Sequence, residues 1–307
     1  MNPHVERVDR ETVDWASASG LLDGPEMAER YRKARYGWLG ARTYPYAGYD
    51  TLRLVTDWCV WLFAFDDVFC ETDRHAAEIA RALPRFIEVL DDLDPGTGGE
   101  RVREPFARAL LDVKGRVAAH GGPDQLERWC TTTKDYLSAQ VWEAANRQDG
   151  LVPSLADYLL MRRRTGAMLT VFTLIDVASG LPLTWQEWRH PDVRAITASA
   201  NDVVVWDNDL ISYAKESGAG NSVNNLVNVL ARHRGYGHQQ AMDEIGGMRD
   251  RAVARMVELR RTLERLGSAA VEAYVHGLER WISGSIDYSM TSSRYTVAWQ
   301  ERTAAAG

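Results

Sequence analysis

The eight residues Trp58–Phe65 (Trp-Cys-Val-Trp-Leu-Phe-Ala-Phe) carry no charged or amide side chain. A helix that is apolar nearly all round has no face to give to water, so it lies inside a larger body. This run is also far short of the ~20 apolar residues needed to span a bilayer, as is the other long apolar run, Met168–Ile175. The chain must therefore build an interior of its own around such segments, and 307 residues suffice for a sizeable core.

The rest of the pattern is helical. Val253, Met256, Val257, Leu259, Leu263 and Leu266 recur at helical steps beside Arg251, Arg255, Glu258 and Arg260. Pro153 followed by Ser154-Leu155-Ala156-Asp157 reads as a capping box opening a helix. Loops fall at Asp94–Gly99, Gly121–Pro123, Gly180–Pro182 and Ser217–Gly220. No alternating strand pattern and no fixed-period repeat is present. Long helices joined by short connections predict one all-α bundle over residues 1–307, with 297–307 as a frayed tail.

Composition narrows the function. A formal charge of -7 argues against a nucleic-acid groove, which needs a clustered basic face. Cys59, Cys70 and Cys130 are too few for a disulfide framework, and no leader is readable at Met1–Arg7, so a reducing, cytoplasmic setting without membrane contact is expected. The seven histidines show no metal-ligand spacing. Tyrosine (12) and tryptophan (11) are in surplus over phenylalanine (6).

Two polar constellations interrupt the apolar pattern. The first, Asp66-Asp67-Val68-Phe69-Cys70-Glu71, ends the aromatic run with three acids in six positions. Carboxylates this close repel, and a hard divalent cation such as Mg²⁺ would compensate them. An isolated acidic pair is ordinarily a solvated helix end, but such ends seldom follow a wholly apolar stretch. The second is Asn208, Ser212 and Glu216 at i, i+4 and i+8, an oxygen-bearing stripe on one helix face. Cation site and polar face remain equal readings of that stripe on its own. Of Arg162, Arg163 and Arg164, at most two can face a site, where a guanidinium fork matches phosphate oxygens. Gly166, costing about 1 kcal/mol relative to Ala inside a helix, marks a bend or a close backbone approach.

Taken together and in order, these segments resemble the bacterial class I terpene synthases. The aspartate-rich motif is Asp66-Asp67-x-x-x-Glu71, and the Asn-Ser-Glu triad is Asn208, Ser212 and Glu216 with Lys215 beside it. Arg162 stands where this family keeps a diphosphate-sensing arginine. Thr165 and Gly166 match the positions that follow it, and Arg294-Tyr295 matches a late Arg-Tyr pair. Trp142-Glu143-x-x-Asn146-Arg147 and Asn225-Leu226-Val227 resemble further family segments. Two departures stand out: Cys70 occupies an acid's usual place, and the Pro- and Phe-rich strap expected before Asn2-Pro3-His4 has no counterpart.

The resemblance implies a helical bundle with a central apolar cavity and a three-ion Mg²⁺ cluster held by Asp66, Asp67, Glu71, Asn208, Ser212 and Glu216. It implies catalytic roles for Arg162, Thr165 and Gly166, and diphosphate binding by Arg162, Lys215, Arg294 and Tyr295. Trp58, Trp61, Phe65, Phe172 and Trp281 are the expected wall aromatics. The expected reaction is ionisation and cyclisation of a linear isoprenyl diphosphate, geranylgeranyl (C20) slightly ahead of farnesyl (C15). Whether the chain acts as a monomer or a homodimer is left open. A chain-elongating prenyltransferase would carry two aspartate-rich motifs, and only one is present. A non-catalytic helical scaffold fits the composition equally and predicts no response to divalent ions.

Overall fold

The computed structural model describes residues 1–70, 74–91, 103–218 and 222–295, apart from the side chains of 215–218 and 222. The expected loop at 94–99 and the expected tail at 297–307 lie outside the described residues. Fifteen α-helices and no strand occur among them. They are α1 (Val5–Ala18), α2 (Gly24–Ala34), α3 (Tyr36–Thr43), α4 (Tyr49–Phe65), α5 (Ala76–Leu90), α6 (Pro105–His120), α7 (Pro123–Asp149) and α8 (Leu155–Thr165). The chain continues through α9 (Met168–Phe172), α10 (Ile175–Ser179), α11 (Trp185–Arg189), α12 (Pro191–Gly218), α13 (Leu226–Arg234), α14 (His238–Leu263) and α15 (Ala269–Ser289). The all-α expectation holds, and no described helix is long and apolar enough to cross a membrane.

Local signals set the boundaries. Ser154 Oγ accepts from the Asp157 amide at 3.1 Å and so opens α8, as its sequence indicates. Asn225 caps α13 by accepting from the Val227 amide at 2.9 Å. Gly121 and Gly180 terminate α6 and α10. In α14, Met256 and Leu263 turn inward, whereas Val257 of the same apolar series faces solvent.

The aromatic segment sits at the centre, as its composition demands. Trp58, Val60, Trp61, Ala64 and Phe65 of α4 are completely buried. One charge is buried with them: Asp57 accepts from Thr12 Oγ1 at 2.5 Å, Arg53 Nη2 at 3.0 Å and Arg116 Nη1 at 2.7 Å. Thr12 and Arg116 tie α4 to α1 and α6, and with Arg53 of α4 itself they satisfy a carboxylate that would otherwise be costly to bury. At the chain start, the buried Asn2 donates from Nδ2 to the carbonyls of Tyr44 and Ala47, fixing the α3–α4 turn. α15 approaches α3 so closely that a Cβ on Gly284 would lie 2.9 Å from the Arg42 carbonyl carbon. The helices α3, α4, α7, α8, α9, α12 and α15 surround one cavity.

Candidate active site

Cys59, Leu62, Phe63 and Asp66 fall at i, i+3, i+4 and i+7, a single stripe, and all four line the cavity. Trp58, Trp61 and Phe65 form the adjacent stripe, turned roughly 100° away. They stack into the core instead: Trp58 on Trp61 at 5.0 Å, Trp61 on Phe65 at 5.1 Å, Phe65 on Phe69 at 4.5 Å. Phe172 is also core, edge-on to Trp281 at 6.1 Å. Four of the five expected wall residues therefore belong to the packing behind the cavity, and Trp281 alone lines it. The aromatic wall is made by Phe63, Tyr136, Trp281, Tyr288 and Tyr295. Counting back three, four and seven positions from Asp66 would have found the α4 contribution. Counting forward seven from Trp281 would have found Tyr288.

Immediately after α4 the backbone widens into a π-helical turn, Asp66–Cys70, a feature common at functional sites. It separates the two aspartates. Asp66 lines the cavity, its side chain about two-fifths exposed, with Arg294 Nη2 at 3.4 Å. The Asp67 side chain beside it is 6% exposed and takes Arg294 Nη1 at 3.0 Å, Arg30 Nη2 at 2.7 Å and the Tyr31 hydroxyl at 2.7 Å. Burial would raise its pKa, but Arg294, the Tyr31 hydroxyl and Arg30 outweigh that and hold Asp67 below the usual carboxylate range. Asp67 thus clamps α2 and Arg294 to the motif and is not among the cavity-lining residues. Glu71 lies outside the described residues.

Across the cavity, α12 contributes Asn208 and Ser212 from its stripe, and Asp207 and Ile211 from the flank of that stripe. Asn208 Oδ1 accepts from Arg162 Nη2 at 2.9 Å, and its Nδ2 donates to the Tyr295 hydroxyl at 3.3 Å. The side chains of Lys215 and Glu216 lie outside the described ones. Asp209, next to Asn208 in sequence, is buried against α8 and is not among the cavity-lining residues. Its Oδ1 accepts from Arg162 Nε at 2.9 Å and its Oδ2 from the Tyr158 hydroxyl at 2.6 Å. Burial raises its pKa, a shift opposed by Arg162 and Tyr158. Asp209 is therefore the residue that aims Arg162 at the cavity. Arg163 pairs bidentately with Asp202 (2.7 and 2.6 Å), and Arg164 Nη1 donates to the Leu160 carbonyl at 3.1 Å. One arginine of three enters the site.

The helix break follows at once. α8 ends at Thr165, Ala167 adopts a left-handed conformation (φ 59°), and α9 restarts at Met168. Thr165, Gly166, Ala167 and Met168 all line the cavity. A Cβ on Gly166 would lie 2.4 Å from Val205 Cγ1 and 3.1 Å from the Arg162 carbonyl oxygen. The close approach anticipated at Gly166 is thus to α12. Gly166→Ala should cost about 1–3 kcal/mol through forced overpacking. Val205→Ala in the same chain should restore most of the lost melting temperature. No rescue would place the strain elsewhere.

The cavity measures about 200 Å³. Asp66 comes to it from the end of α4, and Asn208 with Ser212 from α12; Arg294 stands beside Asp66 and Arg162 beside Asn208. Ser212 Oγ is buried and has no hydrogen-bond partner among the described residues. An orphaned buried hydroxyl is costly unless something outside the protein meets it, so this oxygen suits a hard cation.

Residues 57–255 match the family model of terpene synthase family 2, C-terminal metal binding. The 4-epi-cubebol synthase of Streptosporangium roseum, which cyclises (2E,6E)-farnesyl diphosphate, is 68% identical over 98% of this chain and 90% of its own. The chain is a class I terpene synthase. The (+)-T-muurolol synthase of Roseiflexus castenholzii is 33% identical over 96% of this synthase and 90% of its own length. The crystal structure of linalool/nerolidol synthase from Streptomyces clavuligerus, in complex with 2-fluorogeranyl diphosphate, superposes with a TM-score of 0.85 at 25% identity. That match covers 94% of this chain and 99% of the other. As a member of a metal-binding lyase family, the synthase uses a divalent metal and an isoprenyl diphosphate substrate.

Proposed function

We propose that this synthase is a Mg²⁺-dependent sesquiterpene cyclase acting on farnesyl diphosphate. The observation that carries the reading is the 68% identity, across 98% of the chain, to an enzyme that cyclises this substrate. The preference for C20 is thereby set aside in favour of C15.

Asp66 with Glu71 on one side, and Asn208, Ser212 and Glu216 on the other, would hold three Mg²⁺ ions. When bound, the metal neutralises charge on the departing pyrophosphate as a Lewis acid. Arg162 and Arg294 donate to the diphosphate oxygens, with Lys215 and Tyr295 beside them. Asp209 and Asp67 keep the two guanidinium groups oriented before substrate arrives, so little reorganisation is left for the reaction itself. The carbon–oxygen bond breaks, the electron pair leaves with pyrophosphate, and an allylic cation stays in the apolar end. There the rings of Phe63, Tyr136, Trp281 and Tyr288 exclude water and offer their electron-rich faces to positive charge. Ring closure uses the substrate's own double bonds, and loss of a proton or capture of water ends the sequence. Thr165 and Gly166, at the helix break, set the backbone against the reacting end of the chain.

Incubating the purified protein with C10, C15 and C20 diphosphates plus Mg²⁺, followed by gas chromatography–mass spectrometry, tests the substrate. The C15 diphosphate should give cyclic sesquiterpenes at the highest kcat/KM. Predominant turnover of the C20 diphosphate would overturn the assignment.

A further inference from the structure

Beside the Asn-Ser stripe, α12 presents one carboxylate oxygen that the reaction scheme above leaves unused. Asp207, adjacent to Asn208, lines the same cavity and is 8% exposed. Its Oδ1 accepts from Arg249 Nε of α14 at 2.7 Å. Its Oδ2 is buried and has no hydrogen-bond partner among the described residues. The contrast with Asp209, two residues on, is informative. There Tyr158, Arg162 and the Leu226 amide engage both oxygens, and the carboxylate is spent on holding an arginine. A buried carboxylate oxygen without a donor is expensive, and native structures seldom keep one without a use.

Asp207 Oδ2 and Ser212 Oγ are both buried without a partner among the described residues, and both residues line the cavity from α12. Mg²⁺ dehydrates reluctantly and keeps several waters, and those waters need acceptors of their own. Groups that accept from a metal's outer sphere typically contribute about 10–100-fold to its affinity. Arg249 restrains one oxygen of Asp207 and leaves the other without a partner among the described residues.

We infer that Asp207, steered by Arg249, is an additional metal-positioning residue of the second motif, accepting hydrogen bonds from water on a Mg²⁺ held by Asn208 and Ser212. This rests on the metal reading above. It adds an acid that the Asn-Ser-Glu pattern does not contain.

The test is a thermal-shift titration of Mg²⁺ at fixed inorganic pyrophosphate, which reads metal binding without turnover. In Asp207→Asn, the Mg²⁺ concentration giving half of the full stabilisation should rise about tenfold or more. Asp207→Asn combined with Arg249→Met removes both charges, so no arginine is left unpaired, and it should show the same rise. A midpoint within twofold of the unaltered protein's, in whichever variant folds, overturns the proposal. If the unaltered protein shows no Mg²⁺-dependent stabilisation at all, the metal reading fails first and the role of Asp207 falls with it.

Discussion

Replacing Asp66 by Asn should lower cyclised product by about a thousandfold or more and leave the fold standing. The carboxylate is the cavity-facing acid of the first motif, and its negative charge is what a cation at the diphosphate end requires. Loss of a single well-placed electrostatic group commonly costs 10²–10³ in turnover by itself, so about a thousandfold follows when a metal site is disabled. Stability should hardly change. The side chain is 39% exposed and its contact with Arg294 is long at 3.4 Å, so the change resembles a surface substitution of about 0.5 kcal/mol. Measuring pyrophosphate release together with the melting temperature separates the two effects. Asp67→Asn gives the opposite emphasis, because Asp67 binds protein partners. Full activity in Asp66→Asn would sink the assignment of this residue to the metal.

The second large effect concerns a residue that touches no substrate. Asp209→Asn keeps the shape of the side chain and removes the charge that Arg162 is built against. Arg162 is 11% exposed and Asp209 1% exposed, at 2.8 Å. Leaving one member of a buried pair without its partner costs about 3–5 kcal/mol. At about 2–4 °C per kcal/mol for a domain of this size, the melting temperature should fall by roughly 10 °C. Activity should fall as well, because the freed guanidinium can follow Asn208 Oδ1 instead of the diphosphate. A melting temperature within about 2 °C of the parent would show that Tyr158 and the surrounding backbone hold the site without the ion pair.

Much of this molecule is legible in the residues, and the limits follow from geometry. The all-α class is readable because period and punctuation are local properties, and Trp58–Phe65 announces its own burial. Asn208 and Ser212 are readable as one stripe because an α-helix repeats every 3.6 residues. Gly166 is readable as a close approach, although its partner, Val205, is not, since nothing local links α8 to α12. Faces are harder. Trp58, Trp61 and Phe65 look like cavity wall until they are put in register with Asp66, which turns them to the core. Adjacent residues in a helix point about 100° apart. Asp67 and Asp209 therefore sit next to cavity residues in sequence and away from them in space, each holding an arginine. Glu71, and the side chains of Lys215 and Glu216, lie outside the described residues. Their roles rest on the motif.

Metal-dependent ionisation followed by ring closure inside this cavity is directly measurable. The most direct measurement is pyrophosphate release and product identity for farnesyl diphosphate, with Mg²⁺, with excess chelator, and with Mg²⁺ restored. Cyclic sesquiterpene and stoichiometric pyrophosphate are expected with Mg²⁺, neither with chelator, and full recovery on restoring the metal. Release that ignores the chelator, or a folded protein that returns the diphosphate unchanged with Mg²⁺ present, would contradict it.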